Sequence, residues 1–363
     1  MSTLKVNAIR NVLATSDAVT LATDGTCTAN ITNKPNRNLI INGAMQVAQR
    51  GVSSTQGGRK TLDRFYMNWY NTDQVALTQS QSTDAPPDFS KSYKIDITTA
   101  ENTLDANEYA WINYVLEAQD CQVLNYNSSN ARSVTLSFWV KSYQTGDFAV
   151  NLNKYPDNTN RSITSTYTVN QSATWEKKTI TFVGDTGGGG INDDNGAGIY
   201  IYFFLAAGSN YVGSSANTNQ WANFTSSGWA NGQTVNLFSS ADNYFYITGV
   251  QLEVGSVATD FEHRSFGQEL ALCQRYYLQL TLPKHYANGV NSSYIYQTYL
   301  LPVRQRANGA GSVVSQCRYY SGGSGTNFTP TVSPLTDRVL VQGLALTNGN
   351  GFVDGTIALD AEL

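Results

Sequence analysis

Few residues in this chain are of the types that carry out covalent chemistry. It holds two histidines, His263 and His285, and four cysteines, Cys27, Cys121, Cys273 and Cys317, scattered without a CxxC pair. General acid–base enzymes draw on histidine most often, and zinc sites need clustered His or Cys. The cysteines read as free thiols, because a chain of 363 residues needs no disulfide framework. His263, between Glu262 and Arg264, reads as a structural hydrogen-bonding residue, since no activated nucleophile is suggested nearby. Glu253 with Glu117 or Asp242 could be imagined as the two carboxylates of a glycosidase, about 5–9.5 Å apart, but nothing in their spacing selects them. The run 184–190 is glycine-rich yet lacks the Lys-Ser or Lys-Thr of a phosphate-binding loop, and it reads as a mobile loop. Asp193-Asp194-Asn195-Gly196 lacks the spaced acidic ligands of a calcium loop and reads as a solvated turn. The sequence assigns no catalytic residue, no metal ligand and no cofactor. The chain is read as a non-enzyme.

Aromatic residues offer a different chemistry. Sugar recognition stacks apolar pyranose faces on rings and adds hydrogen bonds from Asn, Asp and Gln. Trp111, Trp139, Tyr200 and Tyr202 fall on the strand faces that the hydrophobic alternation leaves out of the core, and the segment 220–229 places Trp221 and Trp229 among small polar residues. These six are the candidate ligand-binding residues. Two alternatives stay open. The sheet-face rings cover a strand or pack on a neighbouring subunit, and the loop tryptophans plug an end of the fold.

The elements that must position them are strands. Val134, Leu136, Phe138 and Val140 point one way while Thr135, Ser137, Trp139 and Lys141 point the other. Ala110, Ile112, Tyr114 and Leu116 repeat the pattern, as do Ile199, Ile201, Phe203 and Leu205. Further strands are expected at 39–47, 62–70, 93–97, 148–153, 162–169, 175–183, 235–238 and 244–252, and later at 294–301, 312–320, 338–346 and 352–359. Gly-, Asn-, Asp- and Ser-rich loops separate them, which predicts an all-β, antiparallel jelly-roll sandwich. One short helix is expected over 265–277, with Ser265 as cap, Glu269 in the first turn and Phe266, Leu270 and Cys273 on one face.

Composition bounds the partners. Hydrophobic residues make up 41% and permit a core, but only 14% are charged, against about 25% in ordinary soluble proteins. Neutral polar groups, 30 Gly and 22 Tyr wet the surface instead, and such a surface is insensitive to salt screening. A net charge of −4 argues against a general grip on nucleic acid. No run of roughly 18 apolar residues argues for membrane insertion, and the start lacks the apolar stretch of a secretory signal, so synthesis in a cytoplasm without export by the usual route is expected. Residues 1–37 hold no aromatic residue and should order only by packing on other chains.

Several blocks resemble tailed-phage fibre proteins. They are Asn38-Leu39-Ile40-Ile41-Asn42-Gly43 with Gln49-Arg50-Gly51, Thr61-Leu62-Asp63-Arg64-Phe65, the strand Val134–Lys141 and Trp175–Phe182. Most specific is Ile247-Thr248-Gly249-Val250-Gln251-Leu252-Glu253-Val254-Gly255, leading to Glu269-Leu270-Ala271-Leu272-Cys273-Gln274-Arg275-Tyr276-Tyr277. The resemblance covers about residues 38–277. It implies a virion structural protein with a jelly roll similar to bacterial carbohydrate-binding modules. Leu4-Lys5-Val6-Asn7-Ala8-Ile9 resembles the virion-anchoring start of fibres from marine cyanobacterial phages. The implied organisation is an anchor over 1–37 that docks on other virion proteins, a jelly roll over 38–264, a linking helix over 265–280 and a smaller β-rich region over 281–363. A homotrimer located in the phage particle is expected, displaying the jelly roll for attachment to host-surface glycan. The alternative function is a head, neck or baseplate decoration without a receptor.

Overall fold

A computed structural model describes residues 6–10, 12, 19–21, 23, 27–29, 35–72, 74–155, 160–288, 295–321, 324–343 and 350–362. Much of the expected anchor over 1–37 therefore lies outside the described residues. Within it, Ala8–Ile9, Val19–Leu21 and Cys27–Ala29 form a three-stranded antiparallel sheet.

Two six-stranded antiparallel sheets face each other and make the jelly-roll sandwich. The first runs, in spatial order, Ala222–Asn223, Arg161–Val169, Gly146–Lys154, Ala197–Ala207, Tyr109–Glu117 and Phe65–Tyr70. The second runs Glu176–Phe182, Val134–Ser142, Tyr244–Val254, Ser92–Thr99, Ala76–Ser82 and Ser53–Ser54. The period-two residues meet between them as expected. Val134, Leu136, Phe138 and Val140 share one buried cluster with Ala110, Ile112, Tyr114, Leu116, Ile199, Ile201, Phe203 and Leu205. Phe138 meets Phe203 edge-on across the sandwich, centroids 5.3 Å apart, and burial of such rings is the main stabilising term of this core.

Two expected strands are absent. Residues 39–47 bury Ile40, Met45 and Val47, but Asn42 and Met45 take left-handed φ of 62° and 57°, which breaks any strand. This segment is instead sewn to the last sandwich strand by two backbone bonds, Leu39 N–H to Leu252 O and Val250 N–H to Gly43 O, both 2.9 Å, and by side chains. Asn38 Nδ2 donates to Val250 O and its Oδ1 accepts from Leu252 N–H, while Asn42 Nδ2 donates to the carbonyls of Val47 and Asp63. Residues 237–239 form a 3-10 turn capped by Asn236. Conversely, Ala76–Ser82 was not expected as a strand because it alternates polar with polar; its fully buried Gln79 accepts from the hydroxyls of Thr61 and Tyr93.

The helix spans Phe266–Gln274, and Ser265 caps it in a reciprocal box with Gln268. Its buried face matches the expected one in part, with Cys273 buried and Leu270 half-buried. Glu269 and Cys273 are buried, whereas Phe266 is 56% exposed, because the helix lies on polar groups: Glu269 accepts from Asn42 N–H and pairs with Arg264 at 3.5 Å. Beyond it, Tyr277–Asn288, Asn350–Asp360, Ala310–Ser321 and Ser324–Phe328 form a four-stranded sheet, and Ile295–Leu300, Arg338–Gly343 and Thr331–Pro334 a three-stranded one. They enclose a second core of Leu278, Leu282, Tyr299, Cys317, Val339, Val341, Ile357 and Leu359.

Charge closes the joint. Glu362 carries its carboxylate into a cluster of Arg50, Arg59 and Arg64, and Arg64 stacks on Tyr276, 3.5 Å from the ring centroid. Burial alone would raise the Glu362 carboxyl, but the three guanidiniums hold it below its ordinary value. Glu117 likewise receives Arg275 and the Tyr276 hydroxyl, both at 2.6 Å. Asp63 is the counterpoint: burial pushes its carboxyl up to about 6 despite Gln49 and Arg50.

Two outcomes are expected. Glu362→Gln leaves three buried guanidiniums under-compensated and should cost about 3–5 kcal/mol, read by denaturant unfolding; a loss below 1 kcal/mol would show the joint is held by apolar contacts alone. Asp63 has a raised folded value, so its stabilising contribution is complete below about pH 4 and is lost as pH rises toward about 6. Asp63→Asn should remove that decline from a pH series of melting temperatures.

Candidate functional site

The six candidate rings divide between the two outer faces and an edge. Trp111, Tyr200 and Tyr202 stand on the outer face of the first sheet, in the rows set by Tyr202 opposite Asn113 and Phe204 opposite Trp111. Their rings are occupied by one another. Tyr200 and Tyr202 stack in parallel at 5.9 Å, Tyr155 tilts onto Tyr200, and Trp111 meets Tyr66 at 5.5 Å and Tyr202 at 5.2 Å. Rings stacked on each other present edges to solvent and have little face left for a sugar.

Trp229 lies over the same face. It packs edge-to-face on Tyr109, Tyr202, Phe204, Tyr211 and Phe224, covering a satellite cluster of Ala149, Phe204 and Ala230. Trp221 points elsewhere. Its ring sits edge-on to Tyr126, its indole N–H donates to Val183 O at 2.7 Å, and it packs against the main core. Of the two alternatives open for the loop tryptophans, this packing is that of a plug: both are half-buried wedges that hold the 208–233 loops on the sandwich.

Trp139 is placed differently. It stands on the outer face of the second sheet and has no aromatic partner among the described residues. Instead it floors a cavity of about 520 Å³ lined by Asp88, Phe89, Ser137, Lys177, Gly249, Asp260, Phe261 and His263. Lys177 faces Trp139 across one strand pair and Thr248 faces it across the other. The Tyr244–Val254 strand bulges between Thr248 and Gln251, with Gly249 at φ +62°. A Cβ at Gly249 would lie 2.6 Å from Phe89 Cζ and 3.1 Å from Trp139 Cδ1, so only glycine lets both rings lie against the backbone. Phe89, Phe261 and His263 pack together with centroids 4.9–5.3 Å apart and build the far wall. The loop carrying that wall is pinned: Asp260 O accepts from Gln251 Nε2 at 3.2 Å and Arg37 Nη2 at 2.6 Å, and Glu262 N–H donates to Gln251 Oε1 at 2.8 Å.

Around this floor the polar groups are uncommitted. Among the described residues the side chains of Asp88, Asp260, Lys177 and Ser137 make no hydrogen bond or ion pair. His263, expected as a hydrogen-bonding residue, serves through its ring. The neighbouring surface adds Trp175, whose N–H donates to Asp84 Oδ1 at 3.0 Å, and Tyr246, with Lys141 Nζ 4.6 Å above its centroid. Phe89, Phe261 and Trp175 were not anticipated. Trp175 shares the parity of Lys177 and could have been read from the strand pattern, whereas the two Asp-Phe pairs, 88–89 and 260–261, meet only through the fold.

Other motifs resolve as structure. Glu253 is committed to Thr259, with N–H and hydroxyl contacts of 2.8 and 2.7 Å, and Glu117 to Arg275 and Tyr276 on the other sheet, so they form no catalytic pair. The 184–190 run is held, not loose: fully buried Lys154 pairs with Asp185 at 2.6 Å and donates to the carbonyls of Gly187 and Gly189. Asp194 accepts from Gly196 N–H within its own turn. Cys121, Cys273 and Cys317 are buried free thiols. Among the described residues no helix is long and apolar enough to cross a membrane.

No protein-family model and no curated protein matches the sequence. Solved structures do. The enzymatically active domain of bacteriophage CBA120 tailspike protein 4 is similar at 12% identity over 61% of this chain, with a TM-score of 0.34, and this chain spans only 22% of it. The C-terminal family 22 carbohydrate binding module of Clostridium thermocellum Xyn10B is similar at 10% identity over 62% of this chain and 99% of the module, TM-score 0.32. A family 11 carbohydrate-binding module from Clostridium thermocellum follows at 10%, over 57% and 98%, TM-score 0.29. At such scores the likeness carries no function. The site has to be argued from its own geometry.

Trp229→Ala should lower unfolding free energy by about 3 kcal/mol in urea titration, because it uncovers Phe204. A neutral result would mean the indole does not hold the loop.

Proposed function

We propose that this protein is a phage virion fibre protein whose jelly roll attaches to host-surface glycan through the Trp139 cavity. One observation carries the reading: Trp139 is the candidate tryptophan whose ring faces an open cavity and not another ring, with hydroxyl-binding groups left free around it. Saccharide sites combine an apolar floor with a few convergent polar groups in this way. Binding, not catalysis, is the chemistry assigned to the cavity in this reading: Ser137 and His263 both line it, but among the described residues no hydrogen bond joins them. The resemblance of the 38–51 and 247–277 blocks to phage fibres supports location in the particle, with residues 1–37 as the anchor and the 281–363 region as a separate β unit. Homotrimeric assembly belongs to the same reading, because oligomers close by symmetry.

A second reading, a decoration protein without receptor, is favoured by Phe266 at 56% and Leu272 at 37% exposure on the helix, which suit a packing contact within a particle.

Cell adsorption of the purified protein separates the two. Trp139→Ala should weaken adsorption by about 1–3 kcal/mol with little change in melting temperature. Unchanged adsorption by a folded Trp139→Ala protein favours the decoration reading. Light scattering should give three chains per particle; a stable monomer removes the trimer.

A further inference from the structure

The cavity over Trp139 is electrically polarised. Both of its carboxylates belong to Asp-Phe pairs, Asp88-Phe89 and Asp260-Phe261, whose rings touch with centroids 5.0 Å apart. Phe89 rests over Gly249, which follows Thr248, the partner of Trp139 on one side. Lys177 is the partner of Trp139 on the other side. The carboxylates thus enter from the phenylalanine wall, the ammonium enters from the opposite flank, and an open indole lies between them. None of the three charges is paired among the described residues.

We infer that the cavity takes a zwitterionic saccharide unit. The pyranose ring lies on Trp139, its ammonium group faces Asp88 and Asp260, and its anionic substituent faces Lys177. This rests on the glycan-binding reading and narrows it. A cation over the indole face gains a cation–π attraction as well as the two carboxylates. A purely anionic sugar satisfies Lys177 but meets two like charges. A neutral sugar leaves all three charges to water. The cavity, about 520 Å³, lies within the range of about 300–1,000 Å³ typical of small-ligand sites, so it suits a terminal or branch unit more than a long chain. Because the charged groups are at the surface, each pairing adds a modest and salt-sensitive increment.

Calorimetric titration of the full chain at low ionic strength tests this with four sugars: glucosamine 6-phosphate, glucosamine, glucose 6-phosphate and glucose. Glucosamine 6-phosphate should bind about tenfold more tightly than glucose, with glucosamine in between at about threefold. Lys177→Gln should remove the phosphate increment alone, and the double variant Asp88→Asn, Asp260→Asn the amine increment alone, with melting temperatures unchanged. Equal binding of all four sugars, abolished by Trp139→Ala, overturns the zwitterion and leaves the glycan site standing. Increments that survive the charge variants also overturn it. Binding of none overturns it too, and the glycan reading then falls if Trp139→Ala adsorbs normally.

Discussion

A single backbone irregularity organises the site: the bulge at Gly249 in the eleven-residue strand Tyr244–Val254. A regular strand would carry a side chain where Phe89 and Trp139 now converge. The left-handed residue removes it and shifts the strand so that Val250 N–H donates inward to Gly43 O at 2.9 Å. Gly43 is bound by the same constraint, since a Cβ there would lie 2.1 Å from Val250 O. The segment from Asn38 to Gly43 is thus the counterpart that satisfies the bulge, and both belong to the blocks that resemble phage fibres. Those blocks are architectural. They build the edge on which the cavity opens and also supply Ser137, Trp139, Lys177 and Gly249 to its lining.

Charge is used sparingly and, in the interior, almost always in pairs. Glu362 among three arginines, Glu117 with Arg275 and Tyr276, Lys154 with Asp185 and Glu269 with Arg264 each tie one unit to another. Removing one partner from a buried pair is costly because the other stays desolvated, so these contacts give register to a sandwich whose apolar core alone would tolerate sliding. Against that background, the unpaired groups of the Trp139 cavity stand out as a surface left ready for a partner.

The aromatic richness of the outer faces has two physical uses. On the first sheet the rings satisfy each other, and Trp229 roofs Phe204 to extend the core outward. On the second sheet the bulge and the pinned 260–263 loop set the packed rings of Phe89, Phe261 and His263 beside Trp139 around a cavity. Ring count is the same kind of signal in both places.

Alternation along single strands was enough to determine the class of fold, the inward residues of the three principal strands and the Ser265 cap, because strand period and capping are local properties. It was misled at 39–47, where apolar residues are buried by a turn that Asn42 and Met45 make in left-handed conformations, and at Phe266, where the helix buries a carboxylate for the sake of Asn42 and Arg264. The sequence also placed Trp139 on a non-core face together with Trp111, Tyr200 and Tyr202, and could go no further. That Trp139 lies on the opposite sheet, that two distant Asp-Phe pairs meet beside it and that Gly249 clears the space between them are consequences of sheet pairing. Pairing is decided by contacts between residues far apart in the chain, and no local pattern encodes them.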